Sequence, residues 1–520
     1  MQTTILTALT LLALGAGIWH ATATRSDSDP ASAAARPGDP AGSSAASATV
    51  DPSGSSVAYA TIDPAPAAEP LPAGFLGLSL EYSALEAYTG AAPGALDPVF
   101  IQLLRNLGQP LVLRIGGNST DATWWPVRGM SRPPGVSYSL TGGWLASARA
   151  LATALEAKLI LGVNLAAGRP RLTRAEAAAL VRGVGAANLA ALELGNEPDV
   201  YGVFPWYRKR GQPVFARTAG YDLNAFVREL RSSSVLLPRV PLAGPATAEL
   251  PWLAGVSALI AAEPGLRMVS AHRYPIQGCL RDRSSPSYPS IANLLSDRSS
   301  TGLAQELAPY VVLAHGHGLQ FRVDELNSAA LAGCLSRSGV SNTFASALWM
   351  LDALFNLADA GVDGVNIHTL PGAAYELFTF RRGPAGWQGF VHPDYYGLMM
   401  FARAFPPGAR LLPVYTGAGP LKVWATRGTD GRTRVTLINE DARPRHVELQ
   451  LPFGGGQAEL EWLRAPGIAA TDGVTLGGQT FGAQTDTGRL AGTSVTQPVV
   501  QLLGWSSIEL PPYSAALLTR

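Results

Sequence analysis

Eight short apolar strands alternating with eight helix-patterned segments between Phe75 and Phe405 predict a (β/α)8 TIM barrel. From Arg410 onward no helix of useful length can be written, and short alternating runs separated by Gly, Pro and Asp predict a C-terminal antiparallel β-sandwich domain. A third observation supports closure into a barrel. Polar residues cluster where the apolar strands end, and in a barrel those C-terminal ends carry the functional groups. A doubly wound sheet uses the same alternation, but a count of eight favours the closed form.

The strands are read at Phe75–Glu81, Leu111–Gly117, Lys158–Asn164, Leu189–Leu194, Val240–Thr247, Arg267–Arg273, Gln320–Glu325 and Gly361–His368. Each is a run of apolar residues stopped by glycine or a polar group. Helices are expected at Asp97–Asn106, at Thr141–Ala157, from a cap near Thr173 to Gly185, and at Tyr221–Ser234. Four more follow at Leu250–Ala262, Ser290–His315, Asn342–Ala360 and Tyr395–Phe405. Val57–Ile62 is a strand cut off by the proline-rich stretch Pro64–Pro72, with no core of its own to bury against. It is therefore expected to join the β domain. The domains are then residues 50–70 and 409–520 for the sandwich, and 71–408 for the barrel.

The chain has 520 residues, 47% of them hydrophobic, which is enough for a large core. Its 39 basic and 38 acidic residues leave no footprint for nucleic acid or for a polybasic membrane contact. Seven histidines and two cysteines exclude a cysteine-rich metal scaffold. The apolar run Ile5–Ile18, followed by small residues, reads residues 1–24 as a signal peptide or a retained anchor. Residues 25–49, rich in Ala, Ser, Pro and Asp, read as a disordered linker. Export is the expectation, and with it a Cys279–Cys334 disulfide.

The strand ends carry Glu81, Asn118 with Asp121, Asn164, Asn196 with Glu197, His272 with Tyr274, Glu325 with Asn327, and His368. Glu197 closes the fourth strand and Glu325 the seventh, on opposite sides of an eight-stranded mouth, so the two carboxyl groups can face each other. Such a pair suits glycosidic bond cleavage, one group protonating the leaving oxygen and the other meeting the anomeric carbon. Arg114 and Glu193 interrupt the second and fourth strands, each four residues before a functional end. They are expected to pair inside the barrel, since an unpaired buried charge is very costly.

Leu-Gly-Asn-Glu-Pro-Asp (194–199) and Asp-Glu-Leu-Asn-Ser (324–328) resemble the corresponding segments of retaining glycoside hydrolases on this barrel. With Arg-Ile-Gly-Gly-Asn-Ser (114–119), His-Arg-Tyr-Pro (272–275) and Gly-Ala-Ala-Tyr (372–375), the chain resembles glycoside hydrolase family 79 over about residues 50–520. That is the β-glucuronidase and heparanase group. The resemblance implies Glu197 as acid/base and Glu325 as nucleophile, with no cofactor and no metal. It implies Asn196 on the hydroxyl beside the anomeric carbon, Glu81 on sugar hydroxyls, Tyr274 beside the nucleophile and Tyr375 at the uronic carboxylate. Asn118, Asp121, His272 and Asn327 complete the expected substrate-binding set. The chain departs from heparanase at Ser328–Cys334, where a glycine-rich run is replaced.

The expected activity is exo-acting release of β-linked glucuronic acid from glycans or glycoconjugates. An endo-acting enzyme is the first rival, disfavoured by the neutral overall charge yet supported by Arg208-Lys-Arg210 and Arg381-Arg382. A non-catalytic carbohydrate-binding protein is the second. His315-Gly-His317 precedes the seventh strand, at the non-catalytic face, and reads as a helix end. Gly454–Gly456 reads as a hairpin loop. The sequon at Asn118–Thr120 reads as part of the site.

Overall fold

The computed structural model describes residues 57–66, 68–108, 110–331, 339–416, 421–451 and 457–520. The expected signal segment and linker, Cys334 with its pairing to Cys279, and the Gly454–Gly456 loop lie outside the described residues. Eight parallel strands close into a barrel: Leu76–Glu81, Val112–Gly116, Lys158–Val163, Leu189–Leu194, Leu242–Thr247, Leu266–Arg273, Gln320–Leu326 and Gly364–Thr369. They are numbered 1 to 8 below. Strand 8 pairs with strand 1, Ile367 opposite Leu78, which closes the ring.

Helix ends follow local chemistry. Asp97 caps Pro98–Arg105, its Oδ1 accepting the Val99 N–H at 2.8 Å, and Thr141 caps Gly142–Ala154 through the Trp144 N–H at 3.0 Å. Thr173 is not the cap expected of it. The helix starts earlier, at Pro170, and the Thr173 hydroxyl donates back to the Asn164 carbonyl at 3.0 Å. Proline is pre-set for a first helical turn, which explains the earlier start. The expected helix at Leu250–Ala262 is two pieces, broken at Gly255.

Two hairpins were absent from the expectation: Pro205–Lys209 with Gln212–Phe215 after strand 4, and Phe378–Gly383 with Gly386–Val391 after strand 8. Arg208 and Lys209 lie beside the turn of the first, and Arg381 and Arg382 near the end of the second.

Behind the barrel stands a two-sheet sandwich. Val57–Ile62 lies within its smaller sheet, parallel to Arg445–Gln450 and antiparallel to Val414–Thr416, with Trp505–Leu510 at the far edge. Ala60 and Ile62 enter the same apolar cluster as Leu437, Leu449, Leu460 and Leu518. The larger sheet is built on Leu421–Arg427, Thr433–Asn439, Ser514–Thr519 and Gln457–Arg464. Helix Phe344–Asp359 sits between the two domains, and its Phe355 ring stacks on Trp424 at 5.3 Å. Among the described residues no helix is long and apolar enough to cross a membrane.

Candidate active site

Strand 4 delivers Glu197 through a tight bend. Gly195 takes φ +79, where an added Cβ would meet the Tyr201 hydroxyl at 2.4 Å, so glycine is required there. Glu197 itself adopts the left-handed conformation, φ 48 and ψ 56. That costs about 1–3 kcal/mol for a non-glycine residue, and the bond from its N–H to the Ala246 carbonyl at 3.0 Å helps hold it. Its Oε1 lies 2.9 Å from Nδ1 of His272, the penultimate residue of strand 6.

Strand 7 delivers Glu325. Arg114 Nη1 donates to its Oε2 at 2.7 Å and the Tyr274 hydroxyl to its Oε1 at 2.7 Å. Nδ1 of His272 and Nδ1 of His368 each stand 3.8 Å from Oε2. Burial works against ionisation of Glu325, but the fields of His368, His272 and Arg114, with the Tyr274 bond, outweigh it. Its carboxyl is held far below the usual carboxylate range. Burial would likewise lower the affinity of His272 for a proton. Attraction to Glu325, the bond to Glu197 and Asp324 prevail over repulsion from Arg114, and its pKa is pushed up to about 9.

The two glutamates differ in access. The Glu197 side chain is 22% exposed and that of Glu325 9%. Oxygens of Glu197 and Glu325 and a ring nitrogen of His272 all lie within 4.8 Å of one another. An ionised carboxylate beside a second carboxyl at that spacing can attack an acetal carbon while its neighbour handles the proton.

Arg114 and Glu193 pair as expected, at 2.8 Å, with both side chains fully buried. Arg114 does more than that pairing required. Its Nη2 donates to Asn196 Oδ1 at 2.8 Å and its Nη1 also to Ser79 Oγ at 3.2 Å. The carboxamide is thereby oriented, with Nδ2 left on the side of the exposed Asn118, whose Oδ1 is 3.3 Å away. The sequence reading missed the contact to Glu325. The signal was present, an arginine inside an apolar strand, but its range of partners was not readable. His368 was noted as a strand end and given no role; it lies against Ser79, Glu81 and Glu325.

Other expected site residues fall into two groups. Glu81 faces the mouth but accepts the backbone N–H groups of Asn118 and Ser119, at 3.0 and 2.7 Å. Burial raises its pKa. Tyr274 and Tyr375 stand side by side, ring centroids 6.0 Å apart, and Tyr375 also packs edge-on to His368. Asp121 and Asn327 need correction. Asp121 spends both oxygens on four donors: the N–H groups of Leu165, Ala166 and Asn196 and the Tyr201 hydroxyl. Asn327 is fully buried, donating to the His368 and Tyr375 carbonyls and accepting from Ser328. Both are saturated braces under the site, with no group left for a sugar.

His315 lies at a helix end, as expected, with its Nε2 2.8 Å from Asp363. The cluster Glu193, His272 and Asp324 also has the spacing of a cation site. Arg114 already supplies the positive charge at that point, with Nε 2.8 Å from Glu193 and 3.6 Å from Asp324.

Known proteins place this geometry in context. A β-glucuronidase of Aspergillus niger is similar in sequence. It is 26% identical over 381 residues, which cover 64% of this chain and 66% of that protein, just under two thirds of its length. No protein-family model matches. In structure the chain is similar to a 4-O-α-L-rhamnosyl-β-D-glucuronidase of Fusarium oxysporum, at a TM-score of 0.64 and 18% identity over 88% of this chain and 100% of that one. A family 51 arabinofuranosidase of Xanthomonas axonopodis gives 0.64 and 15%, over 89% and 99%. At these identities the likeness establishes the shared fold, a barrel with an appended β domain.

Proposed function

We propose that the chain is a retaining exo-β-glucuronidase of glycoside hydrolase family 79, with Glu325 as nucleophile and Glu197 as acid/base. The observation that carries the proposal is the facing pair itself. An oxygen of Glu197, after strand 4, and one of Glu325, on strand 7, lie within 4.8 Å of each other, which is compatible with the carboxyl separation of about 5–5.5 Å used by retaining enzymes. The named activity of the A. niger relative supports the choice of glucuronic acid.

In the first displacement a Glu325 oxygen attacks the anomeric carbon while Glu197 gives its proton to the departing glycosidic oxygen. Its two donors, Arg114 and Tyr274, keep the attacking carboxylate ionised and aimed. The product is a glycosyl ester in which Glu325 has lost its charge. Glu197, now a carboxylate, takes a proton from water as the water attacks the same carbon, and Glu325 leaves as carboxylate. Asn196, oriented by Arg114, offers its Nδ2 to the neighbouring hydroxyl, and Tyr375 lines the position for the uronic carboxylate. Action outside the cytoplasm, argued from residues 1–24, belongs to the same proposal.

The basic residues beside the strand-4 hairpin turn, Arg208 to Arg210, favour an endo-acting reading on acidic polymers as the second choice. Purified protein with an aryl β-glucuronide, followed by NMR of the first-formed anomer, separates the readings. β-Glucuronate first is the expected result. α-Glucuronate first overturns retention, and cleavage of polymers alone favours the endo reading. Glu325→Gln should lower kcat by about four orders of magnitude on every substrate, whereas Glu197→Gln should spare the glycosylation step of good leaving groups.

A further inference from the structure

Beneath the two carboxyls already described lies a second acidic pair that the double displacement does not use. Glu193, on strand 4, and Asp324, on strand 7, are both fully buried. Glu193 accepts from Arg114 Nε and from Ser270 Oγ, each at 2.8 Å. Asp324 receives no comparable donor. Its Oδ2 stands 3.6 Å from Arg114 Nε and its Oδ1 3.5 Å from His272 Nε2, and neither oxygen has a donor within hydrogen-bond distance among the described residues. An oxygen of Asp324 and one of Glu193 nonetheless lie within 4.8 Å of each other, and both lie within that distance of a ring nitrogen of His272.

We propose that Glu193 and Asp324 share a single proton and act together as the positioning pair that holds Arg114 and His272 against the catalytic carboxylates. The inference rests on the reading of Glu197 and Glu325 as that catalytic pair. Two carboxyl groups buried this close, one of them without a donor, do not both ionise, and a hydrogen on one can be offered to the other, which two carboxylates cannot do. The proton belongs on Asp324. Burial, then Glu193 as a like charge and bonding partner, push its pKa well up against the pull of Arg114 and His272. Glu193 is drawn the other way: burial is overcome by Arg114, the bond from Asp324 and His272, so it stays ionised.

The groups facing the pair are Arg114 from strand 2, His272 and Ser270 from strand 6, and Arg322 and Glu325 from strand 7. With Asp324 neutral, Arg114 and His272 keep Glu193 and Glu325 as their anionic partners, while Arg322 is held by the Asn366 side chain and the Gly74 and Phe75 carbonyls. When Glu325 is esterified its charge disappears. Arg114 then still has an anionic partner in Glu193, and Asn196 stays oriented for the second displacement. His272 keeps Asp324 behind it as it faces Glu197.

The test compares Asp324→Asn with Glu193→Gln and follows side-chain carboxyl carbons of the wild-type protein by 13C NMR. In the wild type, the Asp324 carbon should remain in its protonated position through neutral pH while that of Glu193 is ionised. An Asp324 carbon that titrates near the ordinary aspartate value of 3.8 overturns the proposal. Asparagine keeps a donor toward Glu193, so Asp324→Asn should lower kcat less than about tenfold. Glu193→Gln removes the anion beside Arg114 and should lower kcat by about 100-fold with little change in KM. Equal losses in two folded variants also overturn the proposal. The NMR titration stands if Asp324→Asn fails to fold. It also decides the acid pair if the wild type cleaves no β-glucuronide, a result that would sink the functional reading alone.

Discussion

A guanidinium inside a barrel strand is costly unless its donors are taken, and Arg114 gives them to Glu193, Glu325, Ser79 and Asn196. One residue therefore couples the depth of the barrel to the groups at its mouth. The same cluster sets the response to pH. His272 is held above its ordinary value of 6.5, so its stabilisation is complete below pH 6.5 and is lost as pH rises through about 9. That shift is worth about 3 kcal/mol. Glu325 runs the other way. Its pKa is depressed below 4.5, so its contribution is complete above that value and is lost as pH falls. Chemical unfolding across pH should show greatest stability between about 4.5 and 6.5, with His272→Gln flattening the alkaline decline. An alkaline decline unchanged in that variant would remove His272 as its source.

At the scale of the element, the turns after the strands do the placing. Gly117 follows strand 2 with φ +63, and a Cβ there would sit 2.3 Å from Glu81 Oε1. The glycine lets the turn close over the Glu81 carboxylate, so that the Asn118 and Ser119 N–H groups reach it. Gly117→Ala should cost about 1–3 kcal/mol of stability and raise KM on an aryl glucuronide, measured by unfolding and by initial rates. A variant with wild-type KM would show that Glu81 does not meet the substrate. Helix Phe344–Asp359 teaches a related lesson. It is buried on nearly every side because the barrel covers one face and the sandwich another. Its sequence therefore reads as apolar all round, with no solvent stripe.

For the whole molecule, the N-terminal strand ties the two ends of the chain together. Val57–Ile62 lies between Val414–Thr416 and Arg445–Gln450, and Ile62 is 2% exposed. A chain beginning at residue 65 should lose the about 1.5–3 kcal/mol from burying Ile62, together with a ladder of backbone bonds. It should also expose two strand edges. Lowered Tm and aggregation are expected, with rescue by the added peptide 50–64; an unchanged Tm would mean that the sandwich closes without the strand.

The barrel was legible because its signal is local. Each strand is a short apolar run ended by glycine or a polar group, and eight repeats leave few other arrangements. The facing of Glu197 and Glu325 followed from counting strands, and the Arg114–Glu193 pair from the cost of a lone buried charge. The two hairpins were missed because their strands are four to six residues long, broken by Pro, Gly and paired basic residues, with too little alternation to set them apart from loop. Asp121 and Asn327 looked like sugar ligands because a strand-end position does not say what a polar group touches. Only the fold decided that, by packing Leu165, Ala166, Asn196 and Tyr201 onto Asp121 and by sealing Asn327 beneath His368. Residue type and period determine which groups reach the barrel mouth. Whether such a group is free or spent depends on donors brought from distant strands, and tertiary packing alone supplies them.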